Sequence, residues 1–208
     1  MRAAGAGGEN AAVTQSVELL LDDATESAVR AQWAALAAAG LPNLGQHTAA
    51  SNRPHVTMAA RRSIDPAREG ALTAAVAALP LGVRLGAVAC FGRGPFVLVR
   101  LVVASRALLD LQAAVTQVLG PDSATDHHVA PGRWTPHVTL ARRLAAGQVG
   151  AALTAVATAD VDGYAVACRR WDGDARREWR LAPPTAPESA PESAPESASE
   201  SASESAAP

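Results

Sequence analysis

The chain contains no lysine: all 18 of its basic residues are arginines, the last being Arg180. That absence matches a compositional bias and carries no functional information. Aromatic residues make up 3% of the 208 positions, so the core must be built from Val, Leu and Ala around very few rings. No apolar run reaches the ~18 residues of a membrane-spanning helix; the best candidate, 96–104, is interrupted by Arg100. Residues 1–12 lack the apolar stretch of about 7–15 residues that makes a secretory signal. The expectation is a soluble cytoplasmic protein with no membrane partner. Cys90 and Cys168 have neither metal-ligand spacing nor the number for a disulfide framework, and both read as buried free thiols.

Five of the 20 acids (Glu188, Glu192, Glu196, Glu200 and Glu204) lie beyond the last arginine. Residues 1–182 therefore hold 18 basic and 15 acidic side chains, a balance of +3 within an overall −2. A mildly positive body suits a small anionic ligand. It is too slight for an extended duplex, so no duplex DNA partner is expected. The tail 183–208 repeats Ala-Pro-Glu-Ser and then Ala-Ser-Glu-Ser with no large apolar side chain, and reads as disordered. Residues 1–12 read the same way. This leaves 13–182 as one domain, of a size to bury a core by itself, and a monomer is the expectation.

Within it, strand and helix patterns alternate. Strands are expected over 16–21, 54–61, 83–91, 96–104, 135–143, 161–169 and 178–181. Helices are expected from a capping box at Asp23 and Glu26 to the stop at Gly40, over 65–78, from a Ser105 cap to Gly120, and over 145–158. This order predicts an α+β fold rather than a purely parallel sheet.

One repeat stands out. Pro-His-Val-Thr occurs at 54–57 and again at 136–139, 82 residues apart, followed by Met58 and Leu140. Five histidines and twelve threonines scattered at random would give about 0.3 His-x-Thr matches; two occur, each with the same Pro before and the same Val within. On a strand, alternate side chains share a face. His55 and Thr57 then face one way, Val56 and Met58 the other, and the second copy repeats this. If the copies are related by a two-fold, two imidazoles and two hydroxyls converge on one small ligand.

That grouping suits cleavage of a phosphodiester without a metal or other cofactor. The reaction needs one group to take a proton from the nucleophile and another to give one to the leaving oxygen. Imidazole, with a pKa of about 6.5, does either near neutrality. Hydroxyl donors such as Thr57 and Thr139 stabilise charge on the non-bridging oxygens, and an arginine adds a bidentate anion clamp.

The two His-x-Thr motifs resemble the signature of the two-histidine (2H) phosphoesterase superfamily. Pro136-His137-Val138-Thr139-Leu140-Ala141-Arg142 is similar to the second motif of its bacterial 2′-5′ RNA ligase / RNA 2′,3′-cyclic phosphodiesterase branch. The resemblance covers about 13–182 and departs at Met58, where the family often has leucine. It implies a bilobal, pseudo-two-fold α+β fold with antiparallel sheets lining a central cleft. It implies metal-independent hydrolysis of a 2′,3′-cyclic phosphate to a 2′-phosphate, with weak reverse joining of ends through a 2′-5′ linkage. By similarity His55 is the acid and His137 the base, although two near-identical copies do not by themselves order the pair. The resemblance puts the phosphate-binding arginine at Arg142. Strand alternation from His137 puts Arg143 on the site face instead, and in the first copy favours Arg61 over Arg62.

Other residues carry weaker signals. Trp134 and Phe91 are candidates for stacking on a base, with core packing as the alternative for each. His127 and His128 fall in a polar loop. Arg169, Arg170, Arg176 and Arg177 are either phosphate contacts or an exposed charged face. The substrate reads as an RNA terminus or a small cyclic nucleotide. The alternatives are a nucleotide-binding module of the same fold with little turnover, or a cyclic phosphodiesterase acting on a non-RNA metabolite.

Overall fold

In a computed structural model, which describes residues 15–121, 128–157 and 159–181, the chain runs twice through the same series of elements. The first pass is β1 (Gln15–Leu21), α1 (Asp23–Ala38), β2 (His55–Arg61), a 3-10 turn at Pro66–Arg68, α2 (Glu69–Ala75) and β3 (Leu81–Phe91). The second is β4 (Phe96–Val102), α3 (Arg106–Leu119), β5 (His137–Leu144), a 3-10 turn at Ala146–Gln148, α4 (Val149–Ala155) and β6 (Val161–Asp172), after which β7 (Arg177–Leu181) folds back on β6. The disorder read for 1–12 and 183–208 lies outside the described residues.

The expected elements form, with local shifts. The α1 cap is Asp22 rather than Asp23: its carboxylate accepts from Thr25 N at 2.9 Å and from Tyr164 N at 2.5 Å. Glu26 therefore turns outward, to Arg30 and Arg53. Ser105 caps α3 as expected, accepting from Leu108 N. Helices α2 and α4 are shorter than their sequence patterns, because each begins with a 3-10 turn.

The seven strands form one antiparallel sheet in the order β2-β1-β6-β3-β4-β5, with β7 on β6. The order is palindromic under the repeat. Each pass contributes two strands to its own half and lends the third to the other, so β3 pairs with β4, and β6 with β1. The halves join where Leu81 meets Ala165, Val83 meets Gly163 and Leu85 meets Val161. Exchanging the repeats maps this ladder onto itself, so the pseudo-two-fold passes through the Val83–Gly163 pair. The two expected lobes are thus halves of one continuous sheet.

The sheet curls until its ends meet: residues of β2 and β5 come within 8 Å Cα to Cα. The helices hold them there by crossing over. Helix α1, whose buried stripe is Thr25, Val29, Gln32, Trp33 and Leu36, packs on β5. Helix α3, with Leu108, Leu111, Gln112, Val115 and Leu119, packs on β2. The core is correspondingly aliphatic, and Cys168 is fully buried within it. Burial pushes the Cys168 thiol up to about 12, aided by the neighbouring Glu18 charge. Cys90 is only half-buried, packed against the edge of that core.

Candidate active site

Both histidines open the strands that meet, His55 on β2 and His137 on β5. Each imidazole is held by the backbone just upstream: His55 Nδ1 lies 2.7 Å from Arg53 O, and His137 Nδ1 lies 2.7 Å from Thr135 O. A carbonyl can only accept, so Nδ1 donates and carries the ring proton. Nε2 is left in both rings to take or give a proton. Thr57 and Thr139 are half-buried, and their hydroxyls have no protein partner among the described residues.

Two indoles, one on α1 and one just before β5, each tie a motif strand to the other half of the molecule. Trp33 Nε1 donates to Thr139 O at 3.1 Å, and Trp134 Nε1 donates to Thr57 O at 3.0 Å. Each motif threonine is thus anchored through its own carbonyl. Trp134 is 8% exposed, which removes it as a stacking platform: its ring is spent on packing and on this bond.

Both strands bulge at the same place. Across β1, Glu18 pairs with Thr57 but Val17 with Ala59, so Met58 is extra; across β4, Val99 pairs with Thr139 but Leu98 with Ala141, so Leu140 is extra. An extra residue reverses the alternation beyond it. Consecutive buried pairs mark the reversal, Met58 with Ala59 and Leu140 with Ala141. Beyond the bulge Arg142 takes the place that alternation gave to Arg143, and Arg142 is a charged neighbour of His137. Arg143 falls at a second register shift with φ 60°, in the left-handed region. In the first copy the reversal gives Ala60 the place of Arg142. Arg61 is buried and donates to Ala60 O and Gly120 O, so it serves structure rather than the site.

The histidines differ in surroundings. Phe91 stands edge-on to the His137 ring, with centroids 4.9 Å apart at 88°. Desolvation lowers His137 below its usual value, and the Arg142 and His55 charges add to this against its bond to Thr135 O. Beside His55 lies a groove of about 650 Å³ lined by Trp171, Arg176, His47 and the buried Glu18–Arg169 pair; His137 is not among its lining residues. That volume suits a small organic ligand.

One site residue escaped the sequence reading, Glu18. Glu18 is the one charge inside the apolar run 16–21, and that isolation was its signal. Arg169 and Arg170 are not an exposed face: both are buried, Arg169 on Glu18, and Arg170 on Glu69 and under Trp179. Arg176 and Arg177 are exposed, as is His128, while His127 lies outside the described residues. Among the described residues no group of three or more His, Cys, Asp or Glu is placed to hold a metal ion, and no helix is long and apolar enough to cross a membrane.

A family model described as the 2′-5′ RNA ligase superfamily matches residues 25–175. No curated protein matches the chain.

Proposed function

The chain belongs to the 2′-5′ RNA ligase superfamily, with the phosphoesterase- or ligase-type chemistry that membership implies, and from that premise we propose that it hydrolyses 2′,3′-cyclic phosphates to 2′-phosphates without a metal. The observation that carries this reading is the pair of imidazoles on abutting strands, each with Nδ1 tied back to a carbonyl, which leaves Nε2 to move a proton.

In this mechanism His137 Nε2 takes a proton from water as the water oxygen bonds to phosphorus. The P–O3′ bond breaks, and His55 Nε2 gives its proton to the departing O3′. A 2′-phosphate and a free 3′-hydroxyl result, with the two histidines having exchanged protonation states. The environment of His137 supports this order, since desolvation and the Arg142 charge favour the neutral ring that a base requires. Thr57, Thr139 and Arg142 bind the non-bridging oxygens. With a 5′-hydroxyl in place of water, the same steps join ends through a 2′-5′ linkage. The substrate is an RNA terminus or a small cyclic nucleotide, which the groove beside His55 has room to accept.

The test is turnover of a 2′,3′-cyclic mononucleotide in EDTA, with the product identified as the 2′-phosphate. His55→Ala and His137→Ala should each lower kcat by about 10²–10⁴. Full activity in both variants overturns the mechanism, and saturable binding without product makes the protein a nucleotide-binding module.

A further inference from the structure

A buried carboxylate stands beside one histidine and not the other. Glu18 is 5% exposed. Its Oε1 lies 3.6 Å from His55 Nε2 and accepts the Ser16 hydroxyl at 2.6 Å. Its Oε2 accepts from Arg169 Nε at 2.8 Å and Nη2 at 2.7 Å. Glu18 faces Thr57 across the ladder; in the second repeat the residue facing Thr139 is Val99. The repeat therefore duplicates histidine and threonine but not the carboxylate.

Charge balance gives the difference a direction. Arg169 also bonds Glu178, so two carboxylates share one guanidinium. The cluster that faces His55 is therefore one positive charge short. Burial by itself would favour the neutral Glu18 carboxyl, but the His55 charge, Arg169 and the Ser16 hydrogen bond outweigh it and hold the group below its ordinary value. The attraction is mutual. Among the described residues, His137 lies close enough to feel the His55 charge, and His47, Arg176 and Arg169 line the groove with it.

Distance gives the difference a mechanism. At 3.6 Å the carboxylate is too far to accept a hydrogen bond from Nε2, yet well within electrostatic reach. Ser16 and Arg169 hold its two oxygens and stop it swinging onto the proton. Building on the phosphodiesterase reading, we propose that Glu18 is the positioning residue that makes His55 the acid. Its fixed negative charge faces Nε2, the atom that gives a proton to the departing oxygen, whereas Val99 at the matching place leaves His137 without such a charge to be the base.

The test pairs NMR titration of the His55 imidazole, which needs no turnover, with the pH–rate profile on a 2′,3′-cyclic mononucleotide. In Glu18→Gln, His55 should lose its proton about one pH unit or more lower than in the unaltered protein. The alkaline limb of kcat should move by the same amount, kcat at neutral pH should fall about tenfold, and KM should hold within about twofold. Glu18→Asp should restore part of each change. Ser16→Ala, which releases Oε1, should move His55 the opposite way, and it serves as the readout if Glu18→Gln does not fold. An unchanged His55 titration in folded Glu18→Gln, or in Ser16→Ala where that is the readout, overturns the proposal, as does an effect confined to KM. A protein that turns over no cyclic phosphate yet shows the titration shift sinks the phosphodiesterase reading alone.

Discussion

Residue by residue, the site depends on which group is charged. His137 sits below the usual imidazole value because it is desolvated and beside Arg142 and His55. A base must be neutral, so the acid limb of the pH–rate profile should fall below pH 6.5. Arg142→Ala removes one of the lowering charges. It should move that limb upward and weaken phosphate binding, raising KM about tenfold, whereas Arg143→Ala should leave the limb in place. Steady-state kinetics from pH 4.5 to 8 on both variants checks this. Thr139→Val keeps the shape of the strand residue and deletes one donor; a loss of about 10²-fold in kcat with normal thermal unfolding is expected if the hydroxyl meets transition-state charge.

Among the elements, the matching bulges do most to shape the site. One extra residue after each threonine turns Ala59 and Ala141 into the core beside Met58 and Leu140 and, in the second copy, brings Arg142 to the histidine. At the sheet centre the constraint is one of space. A Cβ at Gly163 would collide with the Thr25 hydroxyl and come within 2.7 Å of Asp22 Oδ2, the two groups that start α1. Gly163→Ala should therefore cost about 1–3 kcal/mol. The same substitution at Gly82, where nothing stands within 4 Å of the added carbon, is the control. Chemical denaturation measures both.

For the molecule as a whole, the closure of β2 on β5 is held by the crossing helices and reinforced by two indole bonds. Trp33→Phe leaves the Thr139 carbonyl without its donor and should cost about 1–3 kcal/mol, with activity falling further than stability because the two histidines lose their mutual placement. Stability should also fall with acid. His137 is lowered in the folded protein, so the unfolded chain binds more protons as pH drops below 6.5, and stability declines from there. Glu18, Glu26 and Asp22 are lowered too: burial opposes this in each, and their arginine, histidine or backbone N–H partners prevail. Their stabilisation is complete above about pH 4.5, the ordinary carboxylate value, and is lost as pH falls further. Urea midpoints from pH 7 to 3 should show both stages, and Glu18→Gln should flatten the second.

The sequence by itself determined the duplicated His-x-Thr strands, the alternation of strand and helix, the caps at Ser105 and Gly120, and the chemistry two such motifs imply. These are local: side-chain spacing, turn residues and hydrophobic period are written into neighbouring positions. Only the tertiary structure decided which arginine meets His137, that Trp134 and Arg169 are interior, and that Glu18 attends one histidine and not its twin. Each of those depends on register between strands far apart in the chain. A single bulge or a partner more than 100 residues away, as Arg169 is from Glu18, leaves no mark on the local pattern.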